Sequence, residues 1–127
     1  MRQNIGGLVG TAFIGAALTG LAAMGYLGSS FAAEKAMSVV EKGKEVAFDR
    51  KKGNCLACHA MDDGTLPGNI APPLVSMKLR YPEKEVLRAQ IWDATVRNPN
   101  TIMPPFGRHQ ILTEEEIDEV VEYVYTL

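Results

Sequence analysis
Cysteine is the scarcest reactive residue in the chain: 127 residues hold two, Cys55 and Cys58. Histidine is equally rare, with His59 and His109 alone. A structural zinc site needs four ligands, and the adjacent Cys58 and His59 are awkward to aim at one ion. No strand pattern flanks the cysteines, so the βαβ setting of a thioredoxin-like redox pair is missing. No acid–base pair or spare nucleophile stands out. Neither sign of charge dominates, with 13 basic against 15 acidic side chains. That mildly acidic balance argues against nucleic acid or an anionic membrane surface as a partner. Charge is absent altogether between Arg2 and Glu34.

What is present is Gly53-Asn54-Cys55-Leu56-Ala57-Cys58-His59. A Cys-x-x-Cys-His run is the attachment signature of a c-type haem. On a helical turn, positions i, i+3 and i+4 share one face. Cys55 and Cys58 can then bond to the two vinyl groups along one haem edge, and His59 can place its imidazole on the iron. One covalently attached haem c is the cofactor expected.

The uncharged segment from residue 3 to residue 33 has an apolar centre, Ile5 to Leu27, and ends in Ser29-Ser30-Phe31-Ala32-Ala33. A basic start, an apolar middle and small residues at the end read as a signal peptide. Ser30 and Ala32 suit the −3 and −1 positions, so the expected signal covers 1–32 and the functional domain 33–127. The alternative is an uncleaved anchor, because the run is long enough to span a bilayer and Gly6 and Gly10 have Gly-x-x-x-Gly spacing. A membrane enters only if that segment is retained. Either way the domain lies outside the cytoplasm, and the periplasm is the expected compartment. A domain this small has a marginal core of its own, so a buried haem and the fold should be inseparable.

Along the exported part, Ser38 to Asp49 reads as a short amphipathic helix with Ser38 as cap and Val40, Ala47 and Phe48 at helical spacing. Gly43 and Ala47 make a notch that a second helix could cross. The basic run Arg50-Lys51-Lys52 is either solvated or a docking patch. Asp62 to Ser76, punctuated by Gly64, Pro67, Gly68, Pro72 and Pro73, is a loop. A ligating histidine needs an acceptor for its second ring nitrogen, and the Pro72 carbonyl is the candidate, with Leu74 packing on the ring. Pro82 to Val96 reads as a second helix with Leu87, Ile91 and Ala94 or Thr95 as its stripe and Trp92 beside it. Thr101-Ile102-Met103-Pro104-Pro105-Phe106-Gly107 holds a methionine in a proline-bound loop, as a fixed thioether ligand requires. A Met opposite a His raises the potential of an electron-transfer haem. Met103 is the expected sixth ligand; His109, Met61, Met77 and an open position are its rivals. The final helix starts at Glu114, with a Thr113/Glu116 capping box, an Ile117, Val120, Val121, Val124 stripe, and an acidic outer face expected to be solvated. It should cross the first helix at the Gly43/Ala47 notch, with Tyr123 nearby.

Helix, Cys-x-x-Cys-His, proline loop, helix, Met loop, final helix: this order resembles the all-α class I cytochrome c fold, whose N- and C-terminal helices cross beside a covalently bound haem. The resemblance implies His59/Met103 ligation and the Pro72 contact, although Ala71 stands where the family often has glycine. Gly53 to His59, Pro67-Gly68-Asn69-Ile70, Ile91-Trp92-Asp93-Ala94, Asn98 to Gly107 and Ile111-Leu112-Thr113 more narrowly resemble SoxX, the monohaem subunit of sulfur-oxidation systems. That resemblance implies a heterodimer with a haem-bearing SoxA-like subunit acting as L-cysteine S-thiosulfotransferase. Such an enzyme joins thiosulfate to a cysteine of a SoxYZ-like carrier and releases electrons to a cytochrome c acceptor. The catalytic haem there belongs to the partner, so this chain is expected to carry electrons and no catalytic residue. Two other readings are a freely diffusing periplasmic carrier and a gas-binding or peroxidase-like protein with an open sixth position.

Overall fold
The computed structural model describes residues 36–127. The expected signal segment, 1–32, lies outside the described residues.

The first helix, α1 (Val39–Phe48), starts where a full capping box forms. Ser38 Oγ accepts from the Glu41 N–H at 3.2 Å, and the Ser38 N–H donates to the Glu41 carboxylate at 2.7 Å. Two otherwise orphaned donors are thereby satisfied. The helix stops at Asp49, whose extended backbone (ψ 117°) turns the chain out, and the Gly53 N–H folds back onto the Val46 carbonyl at 3.1 Å. Val46 and Ala47 carry the buried face. Val40, expected on that stripe, instead faces solvent, one turn short of where the partner helix arrives.

That partner is the last helix, α4 (Glu114–Val124), opened by the Thr113/Glu116 capping box and three glutamates in its first turn, where the helix dipole favours them. Ile117, Val120, Val121 and Val124 are buried as the spacing requires. The two helices meet at Gly43, where a Cβ would lie 1.9 Å from the Glu119 carbonyl oxygen and 3.0 Å from the Tyr123 Cβ. Only glycine lets the backbones approach this closely. Ala47 continues the notch, fully buried, and Phe48 meets Tyr123 edge-on at 6.2 Å.

The second long helix is shorter than its pattern suggested. It runs as α3 (Lys84–Trp92), after a single turn, α2 (Met77–Arg80), that follows the proline loop. Pro82 precedes it. At the other end Asp93 adopts φ −153°, ψ 92°, its carboxylate accepts from the Thr95 N–H at 3.0 Å, and Ala94–Val96 winds on as a separate 3-10 turn. A capping side chain competing with the helix backbone ends α3 here. Leu87, Ile91 and Ala94 are nonetheless buried as expected. No strand occurs among the described residues.

The acidic outer face of α4 is not simply solvated. Lys42 reaches Glu119 at 3.2 Å, Lys52 reaches Glu116 at 2.6 Å, Lys84 reaches Glu122 at 2.9 Å and Arg88 pairs with Asp118. Cations from α1, the turn after it and α3 all converge on one helix. The stripe gave no sign of this, because the partners are distant in sequence, 64 residues for Lys52 and Glu116 and further still for Lys42 and Glu119.

Candidate haem site
Cys55 opens a 3-10 turn, Cys55–Ala57, entered through Asn54 in the left-handed region (φ 47°). The Cys58 N–H and the His59 N–H both return to the Cys55 carbonyl, at 3.1 and 2.9 Å. The turn therefore gathers the motif around one carbonyl. Burial pushes the Cys55 thiol up to about 11. Reactive redox cysteines show the opposite shift, so the site is poorly built for thiol–disulfide exchange.

The proline loop is pinned against this turn. Gly68 N–H donates to the Leu56 carbonyl at 2.9 Å, Ala71 N–H to Cys58 at 3.2 Å, and Leu74 N–H to Ala60 at 2.8 Å. Between the last two, the Pro72 carbonyl sits 2.7 Å from His59 Nδ1. A carbonyl can only accept, so Nδ1 carries the proton and the Nε2 lone pair is left free to bind a metal. The contact expected from the sequence is present, and alanine at position 71 does not disturb it. Arg80 donates to the neighbouring Pro73 carbonyl at 2.8 Å, a brace the sequence did not reveal.

Cys55, Cys58, His59 and Met103, from separate stretches of chain, all line one cavity of about 510 Å³. Pockets of that volume hold small cofactors. Leu74, Leu87, Ile91, Phe106, Val120 and Val124 supply much of its apolar wall. Met103 is half-buried against the core, its N–H bonded to Thr101 Oγ1 at 3.1 Å. Of its rivals, Met77 lies on the cavity wall and in the core, whereas Met61 is buried elsewhere and His109 does not line the cavity. Trp92 does not line this cavity either; it packs against Gly107.

The charged groups on the wall are Arg50, Lys51, Lys52 and Arg80, with no carboxylate among them. The donor set fits an iron porphyrin: two thiols one turn apart, an imidazole with its outer nitrogen already committed, a thioether, apolar walls and cations for a macrocycle with two carboxylate arms. Bound there, the group supplies reversible storage of one electron.

The description "Cytochrome C oxidase, cbb3-type, subunit III" matches residues 38–124. A chain of the crystal structure of SoxXA from P. pantotrophus superposes with a TM-score of 0.63 at 28% identity, covering 72% of this chain and 83% of that one. An uncharacterized lipoprotein of Aquifex aeolicus (strain VF5) is 36% identical over 76 residues. The aligned part is 59% of this chain but only 37% of that relative's length. No helix among the described residues is long and apolar enough to cross a membrane. The chain belongs to the family described as cytochrome c oxidase, cbb3-type, subunit III, and is a SoxX-like class I cytochrome with one covalently bound haem c.

Proposed function
We propose that residues 33–127 form the electron-transfer subunit of a periplasmic thiosulfate-oxidising complex, exported by a signal peptide covering 1–32. Cys55 and Cys58 would hold the haem through their sulfurs, and His59 and Met103 would bind its iron. The observation that carries this reading is the meeting of all four residues on one cavity with His59 Nδ1 tied to Pro72.

Each residue has a definite task. The Cys55–Ala57 turn fixes the two sulfurs. Pro72 orients the imidazole and keeps its protonated nitrogen outward. Pro104 and Pro105 restrict the swing of Met103, and Leu74, Phe106 and Val120 exclude water. A site that moves little between oxidation states suits repeated electron exchange.

Likeness to a chain of SoxXA supports a SoxA-like haem subunit as partner. The complex would join thiosulfate to the cysteine of a SoxYZ-like carrier and pass electrons to a cytochrome c; this chain contributes no catalytic residue. The test is native purification from cells growing on thiosulfate, followed by haem staining. A second haem protein should accompany this chain through every step. A lone single-haem particle would replace the complex with a diffusible carrier.

A further inference from the structure
The loop that carries Met103 is held at its two ends. At the entry, the Asn98 N–H donates to Ala94 at 3.1 Å and the Thr101 N–H to Asn98 at 3.0 Å. At the exit, the Gly107 N–H donates to the Trp92 carbonyl at 3.1 Å, and a Cβ on Gly107 would stand 2.2 Å from the indole. Pro104 and Pro105 have no N–H to offer between these ends. The position of the Met103 sulfur therefore depends on how entry and exit are joined.

Asp93 joins them. It is 6% exposed, in the backbone break between α3 and the Ala94–Val96 turn. Its Oδ1 accepts from the Thr95 N–H and hydroxyl, fixing the turn that leads into the loop. Its Oδ2 accepts from Arg108 at 3.0 Å, and the same guanidinium nitrogen lies 3.4 Å from Thr95 Oγ1. Arg108 is the residue directly after the exit glycine. One buried carboxylate thus clamps both arms of the Met loop to the end of α3.

We infer that Asp93 and Arg108 are positioning residues that hold Met103 in reach of the iron. The inference rests on the reading of Met103 as a ligand. Without the clamp the two arms separate more often, and the thioether leaves its place for a larger fraction of the time.

The test uses the mature holoprotein and three readouts. These are the weak sulfur-to-iron charge-transfer band of the oxidised form, the rate of CO uptake by the reduced form, and hydrogen exchange of the peptide covering 101–107. Arg108→Gln, a change at a side chain 52% exposed, should speed CO uptake roughly fivefold. It should also weaken the band and accelerate exchange in that peptide. Asp93→Asn should do the same and Arg108→Lys should restore part of the loss. Lys84→Gln breaks an ion pair on α3 away from the loop and should leave all three readouts at the wild-type level. If Met103→Ala removes the band but Arg108→Gln and Asp93→Asn match wild type, the clamp is refuted and the ligand stands. Equal effects from Lys84→Gln and Arg108→Gln would also refute it, as general loosening. A wild type without the band refutes the ligand and the clamp together.

Discussion

At the scale of single residues, what can be substituted is decided by backbone proximity around the haem motif. Gly68 is the clearest case, since a Cβ there would sit 1.9 Å from the Ala57 carbonyl oxygen. Gly68→Ala must push the proline loop away from the Cys55–Ala57 turn and draw Pro72 from His59. A cost of about 2 kcal/mol is expected, in the range of overpacked sites, together with a lower yield of haem-bearing protein. Thermal unfolding and the ratio of haem absorbance to protein report both; an unchanged ratio would show the loop anchor to be dispensable. This residue-level chemistry was largely legible in advance. That Cys55, Cys58 and His59 would gather on one turn and meet Pro72 was readable because the motif and a rigid acceptor need particular residue types at fixed spacing. Arg80 and Arg108 did not, because a surface arginine carries no local mark of the carbonyl or carboxylate it will meet.

At the scale of elements, the crossing of α1 and α4 organises the described part of the chain. Gly43→Ala places a methyl group against main chain, not against a side chain that could rotate away, so the helices must part. We expect about 3 kcal/mol of destabilisation, measured by denaturant unfolding of the holoprotein. A loss below about 0.5 kcal/mol would mean that the helices separate freely. Ile117→Ala, at a fully buried position, should cost about 3 kcal/mol through the cavity it leaves. The crossing was readable as a notch facing a hydrophobic stripe. The end of α3 was not, because Leu87, Ile91 and Ala94 keep helical spacing straight through the break. What stops the helix is the Asp93 carboxylate turning to cap Thr95, and an Asp two residues before a Thr was the one signal available.

At the scale of the whole molecule, charge ties the elements together. Asp62 is held below the usual carboxylate range by Lys44, Asp93 by the Thr95 hydroxyl and then Arg108, and Glu116 by Lys52. Their folded-state values lie below their unfolded ones. The stability they contribute is therefore complete above the ordinary carboxylate range, near about pH 4, and is lost as pH falls through the lowered values. Lys44 is raised by Asp62 and Asp63, Lys52 by Glu116 and Lys84 by Glu122. Their contribution is complete below lysine's ordinary value and is lost as pH rises through the raised ones. The melting temperature should be flat from about pH 5 to 9 and fall on either side. Within that plateau it should decrease modestly with added salt, since the pairs are largely exposed. A steep fall between pH 7 and 5 would contradict this assignment to carboxylate–lysine pairs. Composition indicated only a mild net charge, and the pairing of α4 with three other segments appears once the chain is folded. The fold is built round one covalently bound haem c. The most direct measurement is the intact mass of the exported protein under fully denaturing conditions, for wild type and for Cys55→Ala/Cys58→Ala. Wild type should retain the mass of one haem when unfolded, and the double variant should retain none. A wild-type chain that unfolds to the mass of bare polypeptide would contradict the account.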